Sequence, residues 1–291
     1  MRQDQLEMLK GLWDREGVPY ECGTPLARYT TFKIGGPAAL FARPADARQL
    51  EAALAACKKS DVRYYLLGQG SNTLFADEGF DGAVICTRMM GDVPRIEGER
   101  MTAPAGAGLT GLEFACGIPG SLGGALYMNA GAYGGEMKDV VETVTCLTPE
   151  GTVETRPADA LAFGYRTSVF EQDGSCVLSA TLHLARGDKA AIRARMAELL
   201  AKRREKQPLE WPSAGSTFKR PQGAFAAALI EQCGLKGLQV GGAAVSQKHS
   251  GFVVNLGGAT CADVIALTEQ VIRVVKEKTG YTLEREIRVV K

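Results

Sequence analysis

Two glycine-rich segments carry the backbone amides and hydroxyl groups with which a chain can bind phosphate. The first is Gly68-Gln69-Gly70-Ser71-Asn72, and the second is Pro119-Gly120-Ser121-Leu122-Gly123-Gly124. Consecutive amides exposed by glycine, with serine hydroxyls beside them, form an anion-binding nest that needs no lysine. Two such loops are typical of a diphosphate site and equally of two tight turns, so spacing alone leaves both interpretations open.

Three further segments combine hydroxyl, cationic and carboxyl groups. Ser213-Ala214-Gly215-Ser216-Thr217-Phe218-Lys219-Arg220-Pro221 places hydroxyls beside cations, although ordinary loops do this too. Phe163-Gly164-Tyr165-Arg166-Thr167-Ser168 sets an arginine among aromatic residues, a pattern also typical of surface stacking. The stretch 281–290 alternates and puts Glu286 on its polar face, which is the usual solvated side of a strand.

Several common catalytic motifs are absent or misplaced. Gly106-Ala107-Gly108-Leu109-Thr110-Gly111 satisfies GxGxxG, but Pro104 precedes it and Pro119 follows too soon for the crossover helix of a Rossmann unit. No GxxxxGK[ST] or GxSxG occurs. Because His183 and His249 are the only histidines, we expect neither a serine hydrolase nor a metal site.

The composition limits which classes of binding partner and which cellular compartment we expect. Among 291 residues, 34 Lys and Arg balance 33 Asp and Glu, which argues against nucleic acid or an anionic membrane as partner. The eight cysteines form no CxxC, and the first residues do not resemble a secretory leader, so we expect a reducing cytoplasm. The uncharged stretch 114–135 holds too much glycine for a bilayer helix, so no membrane insertion is expected.

The elements that must position these segments follow from periodicity and capping residues. In the first part of the chain they are a helix over 2–16, irregular or extended chain over 19–44, a helix capped by Asp46, strands at 62–67 and 83–87, a hairpin of 140–147 with 151–155, and a strand at 175–184.

The pattern changes at residue 188. A helix is predicted to end in the basic run 202–206, where cations suit a helix C-terminus better than they indicate a polyanion site. Beyond Pro208 and Pro212 we predict a helix at 224–233, a strand at 251–256, a helix at 260–279 and a strand at 281–290. The chain is therefore an α+β protein with a larger domain to residue 187 and a smaller one after it.

Taken together and in order, these segments resemble the UDP-N-acetylenolpyruvoylglucosamine reductases, flavoenzymes of peptidoglycan synthesis. The resemblance covers nearly the whole chain. It rests on the two glycine loops, FGYRTS (163–168), SAGSTFKRP (213–221), and Tyr29-Thr30-Thr31-Phe32-Lys33-Ile34-Gly35-Gly36, Met128-Asn129-Ala130-Gly131-Ala132-Tyr133-Gly134, 245–255 and Glu284-Arg285-Glu286-Ile287-Arg288. The short link after Arg166 is similar to the smaller, second type of the family.

The resemblance implies a fold and a division into domains. It implies an N-terminal helix at 1–18 and, over 19–187, a two-part FAD-binding domain of the p-cresol methylhydroxylase/vanillyl-alcohol oxidase type. A substrate-binding domain at 188–291 would follow, with strand 281–290 returning to the active site. Both glycine loops would then bind the FAD pyrophosphate.

The resemblance also implies a reaction and residue roles. A monomeric enzyme would reduce UDP-N-acetylglucosamine enolpyruvate to UDP-N-acetylmuramate with FAD and NADPH. Ser216 matches the proton donor, and Arg166 and Glu286 match the other catalytic positions. Lys219, Arg220 and His249 would bind the UDP-sugar, although Arg220 replaces an Asn of some members and His249 fits a packed loop equally well. A non-catalytic UDP-sugar or nucleotide-binding module and another flavin-dependent oxidation are the alternatives.

Overall fold

The protein is described by a computed structural model over residues 2–90, 95–97, 100–104, 112–185 and 187–291. The segment 106–111 matches GxGxxG but is not expected to be a Rossmann dinucleotide-binding motif, and it lies outside these ranges. The helices are α1 (Gln3–Glu16), α2 (Ala47–Lys59), α3 (Leu122–Tyr127), α4 (Val169–Asp173), α5 (Lys189–Lys206), α6 (Ala226–Gln232) and α7 (Cys261–Thr279).

The strands are short and spread along the whole chain. They are β1 (Tyr20–Pro25), β2 (Pro37–Ala42), β3 (Tyr64–Leu67), β4 (Thr73–Phe75), β5 (Phe80–Cys86), β6 (Arg95–Glu97), β7 (Arg100–Pro104), β8 (Gly131–Ala132), β9 (Gly135–Glu136), β10 (Val141–Leu147), β11 (Val153–Pro157), β12 (Cys176–His183), β13 (Gln239–Val240), β14 (Ala243–Val245), β15 (Val253–Asn255) and β16 (Arg288–Val290). This mixture of helices and sheets confirms the α+β class.

The chain folds as two compact units, and each is assembled from separate stretches. The first unit contains 1–22, 40–69 and 82–201, and the second contains 23–39, 70–81 and 202–291. These units differ from the segments 19–187 and 188–291 predicted from the sequence, since two early stretches fold with the C-terminal residues. The assignment of those segments to FAD and substrate remains a proposal.

The first unit is built on antiparallel pairing. Its largest sheet is antiparallel throughout, with the order β11-β10-β12-β7-β6, and a shorter parallel pair joins β3 to β5. One apolar cluster surrounds Leu126 and Phe170, and another joins Trp13 of α1 to Leu50 of α2. Helix α2 begins where predicted, because the Asp46 carboxylate accepts a hydrogen bond from the Gln49 amide at 2.8 Å.

The second unit packs α6 and α7 with the antiparallel sheet β13-β14-β15 around one apolar core. Phe32 and Leu74 belong to this core, and β4 pairs in parallel with β16. These contacts explain why 23–39 and 70–81 fold with residues more than a hundred positions later. A carboxylate from the same early part also caps α7: Asp77 accepts from the amides of Cys261 at 2.7 Å and Ala262 at 3.0 Å.

Two predicted segments differ from the observed elements. The stretch 19–44, expected to be irregular or extended, contains the regular strands β1 and β2. The strand expected over 281–290 is regular only at Arg288–Val290, because β4 offers three residues for pairing and Arg285 makes a single isolated bridge to Phe218. Within the described residues, no helix is long and apolar enough to cross a membrane.

Candidate functional site

The first glycine loop begins where β3 ends. The Arg88 guanidinium donates hydrogen bonds to the carbonyl oxygens of Gly68 at 3.3 Å and Gln69 at 2.6 Å. Arg88 follows the neighbouring parallel strand β5, so the two strand ends hold the loop together. The carbonyl groups at the start of this loop are thus bound by the protein itself.

The two glycine loops meet inside the first unit. A Cβ atom added to Gly68 would lie 2.7 Å from Oγ of Ser121, closer than real Cβ atoms approach other heavy atoms. Ser121 is buried and is the N-cap of α3, where its hydroxyl accepts from the Gly124 amide at 3.3 Å. Glycine at position 68 permits this approach of the Ser121 hydroxyl, which brings the two glycine loops into contact within the first unit.

The later part of the same loop is fixed within the second unit. Gly70 has φ +64°, and a Cβ there would collide with the carbonyl oxygen of Tyr29. The Thr31 amide donates to the Gly70 carbonyl oxygen at 3.1 Å, and the Thr31 hydroxyl donates to the Ser213 carbonyl oxygen at 2.7 Å. Thr31 therefore connects the glycine loop to the segment that carries Ser216.

Ser216 lies beside a residue whose polar groups are all engaged. The buried Thr217 donates its amide to the Gly251 carbonyl at 2.9 Å, and its hydroxyl accepts from the Val253 amide at 2.8 Å. Its carbonyl accepts from the Glu286 amide at 2.8 Å. Ser216 itself is exposed, so the strand-like contacts of Thr217 fix a hydroxyl that solvent or a ligand can reach.

Glu286 is held on both sides of its peptide backbone. Its amide donates to Thr217, and its carbonyl accepts from the side-chain amide of Asn72 at 3.1 Å. The Arg288 amide then donates to the Asn72 carbonyl at 3.0 Å, next to the β4–β16 pair. The second unit therefore brings together the backbones of Ser216, Glu286 and the end of the glycine loop.

Arg166 belongs to the first unit and lies at a tight turn. Its φ is +57°, in the left-handed region that non-glycine residues seldom adopt. The guanidinium donates to the Gly131 carbonyl at 3.0 Å and lies 5.3 Å from the centre of the Tyr165 ring. The predicted stacking on a neighbouring aromatic residue is therefore present, and the charged group is also bound by the segment 128–134.

The sequence analysis did not single out Asn129 or Glu136, which support this turn. Asn129 is fully buried with φ +43°, and its amide nitrogen donates to the Glu136 carboxylate and to the Gly164 carbonyl, each at 2.9 Å. An asparagine within a glycine-rich run was the available signal, because asparagine adopts the left-handed region more readily than most residues.

The three residues expected to bind substrate lie in the second unit. Lys219 is half-buried and its Nζ is 3.5 Å from a Glu284 carboxylate oxygen, while the exposed Arg220 lies over the Phe225 ring at 4.3 Å. The His249 ring packs edge-on against Phe252.

The environment of His249 favours the neutral imidazole. Its Nδ1 accepts from the Gly251 amide at 3.2 Å, and a protonated ring could not accept this bond. Burial also lowers the pKa of His249 below its ordinary value. One ring nitrogen is therefore used within the loop. Among the described residues, no group of three or more His, Cys, Asp or Glu side chains could hold a metal ion.

Two protein-family models match this chain, one in its C-terminal part and one in its N-terminal part. Residues 207–290 match the family model of the UDP-N-acetylenolpyruvoylglucosamine reductase C-terminal domain, and residues 38–114 and 107–156 match that of an FAD binding domain. A UDP-N-acetylenolpyruvoylglucosamine reductase of Clostridium novyi (strain NT) is 45% identical over 294 residues, covering 97% of this chain and 95% of the relative.

Other relatives agree. The reductase of Clostridium botulinum (strain Hall) is 45% identical over 278 residues, covering 91% of this chain and 90% of its own. The crystal structure of UDP-N-acetylenolpyruvylglucosamine reductase from Thermus caldophilus superimposes with a TM-score of 0.77 at 35% identity, covering 94% of this chain and 99% of that one. The chain belongs to the UDP-N-acetylenolpyruvoylglucosamine reductase family.

Proposed function

We propose that this protein reduces the enolpyruvyl ether of UDP-N-acetylglucosamine enolpyruvate to UDP-N-acetylmuramate, a peptidoglycan precursor, with FAD as cofactor and NADPH as reductant. The observation that carries this proposal is the 45% identity over 97% of the chain to a reductase of this name. Every segment on which the sequence resemblance rests also occurs in its expected order.

The glycine loops support the choice of cofactor. The close approach of Gly68 to the Ser121 hydroxyl brings the two glycine loops together, and glycine amides beside serine hydroxyls suit a bound pyrophosphate. The residues that would hold it are Gly68, Gly70, Ser71, Asn72, Pro119, Gly120, Ser121, Gly123 and Gly124. When bound, FAD supplies the hydride for the enolpyruvyl double bond, a chemistry that no side chain offers.

Arg166 and Glu286 stabilise the charge that develops in the reaction. Addition of hydride to the terminal vinyl carbon spreads negative charge over the α-carbon and the substrate carboxylate. A guanidinium and a protonated carboxyl group that donate to this carboxylate bind the transition state more tightly than the ground state. The fixed backbones of both residues suit this role, because preorganised donors need not reorient during the reaction.

Ser216 delivers the proton that completes the reduction. The α-carbon takes the hydroxyl proton, and the serine oxygen is then reprotonated from water. A serine hydroxyl is a weak acid, so a nearby cation lowers the cost of this transfer. Lys219, three residues along the same segment, is the candidate for this cation and for a contact with the substrate.

Lys219, Arg220 and His249 bind the UDP-sugar in this proposal. Two cations in one segment suit the diphosphate of the substrate, and Arg220 brings a guanidinium to a position where some family members have an amide. For His249, the nitrogen opposite Nδ1 would make the contact, since Nδ1 already accepts from Gly251.

The proposal also includes a cytoplasmic, monomeric protein. All eight cysteines are free thiols in the structure, six of them buried, as a reducing compartment allows.

The decisive experiment separates the two half-reactions in a Ser216→Ala variant. We expect NADPH to reduce the bound flavin at the wild-type rate, whereas reoxidation by the enolpyruvyl substrate slows by roughly 10²–10⁴-fold, because the proton donor is missing. Ser213→Ala is the matched control, since its backbone carbonyl and not its hydroxyl binds Thr31. Unchanged reoxidation in Ser216→Ala would remove Ser216 from the mechanism.

The same preparation tests the alternatives. Purified protein should be yellow, and colourless protein that FAD cannot reconstitute would instead indicate a UDP-sugar or nucleotide-binding module. A yellow protein that is reduced by NADPH but is neither reoxidised by the enolpyruvyl substrate nor stabilised against thermal unfolding by UDP-sugar would indicate another flavin-dependent oxidation.

A further inference from the structure

The turn that carries Arg166 is attached to the segment 127–136 on both sides. Before Arg166, the Gly164 carbonyl accepts from the Asn129 side-chain amide at 2.9 Å. After it, the buried Ser168 hydroxyl donates to the Tyr127 carbonyl at 2.8 Å. The Gly164 amide donates to the Thr167 carbonyl at 3.1 Å, which closes the turn. These bonds stabilise the left-handed backbone conformation of Arg166.

Asn129 is the centre of this arrangement. Its amide nitrogen donates to Glu136 and Gly164, and its amide oxygen accepts from the Lys138 backbone amide at 3.0 Å. Both ends of the side chain therefore have partners of the correct polarity, and the group is fully buried. A buried amide that satisfies its hydrogen bonds in this way fixes its surroundings, because losing any bond leaves a polar group buried without compensation.

Glu136 brings this network to the guanidinium. Gly131, whose carbonyl accepts from Arg166, pairs with Glu136 between β8 and β9, and a Cβ on Gly131 would lie 2.7 Å from Cγ of Glu136. The Glu136 side chain thus lies directly over the residue that binds Arg166. A hydrogen bond from Lys138 lowers the pKa of Glu136, and Asn129 and the positive charge of Arg166 lower it further.

We propose that Asn129 is a positioning residue for Arg166, which it orients by holding the Gly164 carbonyl and the Glu136 carboxylate. This inference rests on the proposed function, in which the guanidinium acts on the substrate carboxylate. Asn129 touches neither substrate nor cofactor in this role. It acts only through the turn and through the carboxylate beside Arg166.

A double-mutant cycle tests the proposal. Asn129→Asp keeps the size and the tolerance of the left-handed backbone but loses both donated hydrogen bonds. We expect it to lower kcat for reduction of the enolpyruvyl substrate by about 10- to 100-fold, as a misplaced catalytic group does. Flavin reduction by NADPH should stay at the wild-type rate. In an Arg166→Ala background, the same change should alter kcat by less than about twofold, because the two residues act as one unit.

Three outcomes distinguish the proposals. If Asn129→Asp costs the same factor with and without Arg166, its role is only structural and the inference is wrong. If the wild-type protein does not reduce the enolpyruvyl substrate, the proposed function fails instead. If Arg166→Ala retains wild-type kcat, the catalytic role of Arg166 fails, and the positioning role fails with it.

Two further variants protect the experiment against misfolding. Asn129→Gly keeps the left-handed backbone at no steric cost and removes all three side-chain bonds, so it replaces Asn129→Asp if that variant does not fold. Arg195→Gln is the control, because it removes an exposed ion pair of the first unit, with Glu198 at 2.7 Å, that lies outside the segment 127–136 and the turn of Arg166. Its kcat should equal that of the wild type, since exposed ion pairs contribute little.

Discussion

The side-chain amide of Asn72 donates a hydrogen bond to the backbone carbonyl of Glu286 at 3.1 Å, across 214 positions of sequence. One residue closes the first glycine loop and the other is the candidate catalytic carboxyl group. In the second unit, this hydrogen bond therefore links the glycine loop directly to the backbone of the candidate catalytic residue. A substitution in the loop should therefore alter the position of the Glu286 backbone, even when no residue next to Glu286 is changed.

Asn72→Ala should lower both stability and turnover. Removal of the partly buried amide costs about 1 kcal/mol in the free energy of unfolding and frees the Glu286 backbone on one side. We expect kcat to fall by about tenfold, as it does for modest misplacement of a catalytic group. Gln239→Ala removes an exposed amide-to-carbonyl bond in the same unit, to Gly241 at 2.8 Å, and should leave kcat unchanged. Equal kcat values for the two variants would contradict the prediction.

Gly70→Ala should prevent a stable fold or FAD retention, whereas Gly234→Ala should permit both. Both glycines have positive φ, +64° and +75°. At Gly70 a methyl group would meet backbone, including Cα of Thr30 at 3.0 Å, but around Gly234 nothing lies within 4 Å. Alanine at position 234 should therefore lower the free energy of unfolding only by the backbone strain of a positive φ, about 1 kcal/mol. Thermal unfolding and flavin absorbance of the purified variants measure the difference, and similar losses in both would refute it.

His249 should make the protein less stable in mild acid. Its folded pKa lies below the ordinary 6.5 because the ring is buried, so the unfolded chain binds the extra proton first. The contribution of the neutral ring is fully present above 6.5 and is lost as the pH falls towards the folded pKa. Denaturant unfolding of the wild type and His249→Gln at several pH values tests this. Below 6.5 the wild type should lose more stability than the variant, and parallel curves would show that His249 does not contribute.

Local signals predicted the helices and their caps well. Asp46 begins α2, and the helix predicted at 260–279 is α7 with Thr260 as its N-cap, because a capping side chain bonds to an amide three residues away. Such interactions are complete within one turn of chain. The same reasoning could not find Asp77 at the start of α7, because its partners are about 185 positions distant and no periodic pattern records such a contact.

The residues of the candidate site could be predicted only where the family resemblance assigned them a catalytic or binding role. The sequence pointed to Ser216, Arg166 and Glu286, and the structure shows how the backbone of each is fixed. Their action on one substrate is still a prediction. Asn129 was missed because its importance depends on three partners that lie up to 35 positions away. Strand 281–290 was predicted too long because alternation records which side chains face the core and not which peptide groups pair.

The discontinuity of the second unit has a consequence for protein synthesis. Residues 23–39 and 70–81 leave the ribosome early, but their partners lie in 202–291, and β4 pairs with β16 only after residues 288–290 have been translated. Phe32 and Leu74 are both fully buried in the finished protein, and most of the core that buries them is supplied by residues 214–275. We therefore expect the nascent chain to expose this apolar surface until those residues have been translated, during which time chaperones can bind it.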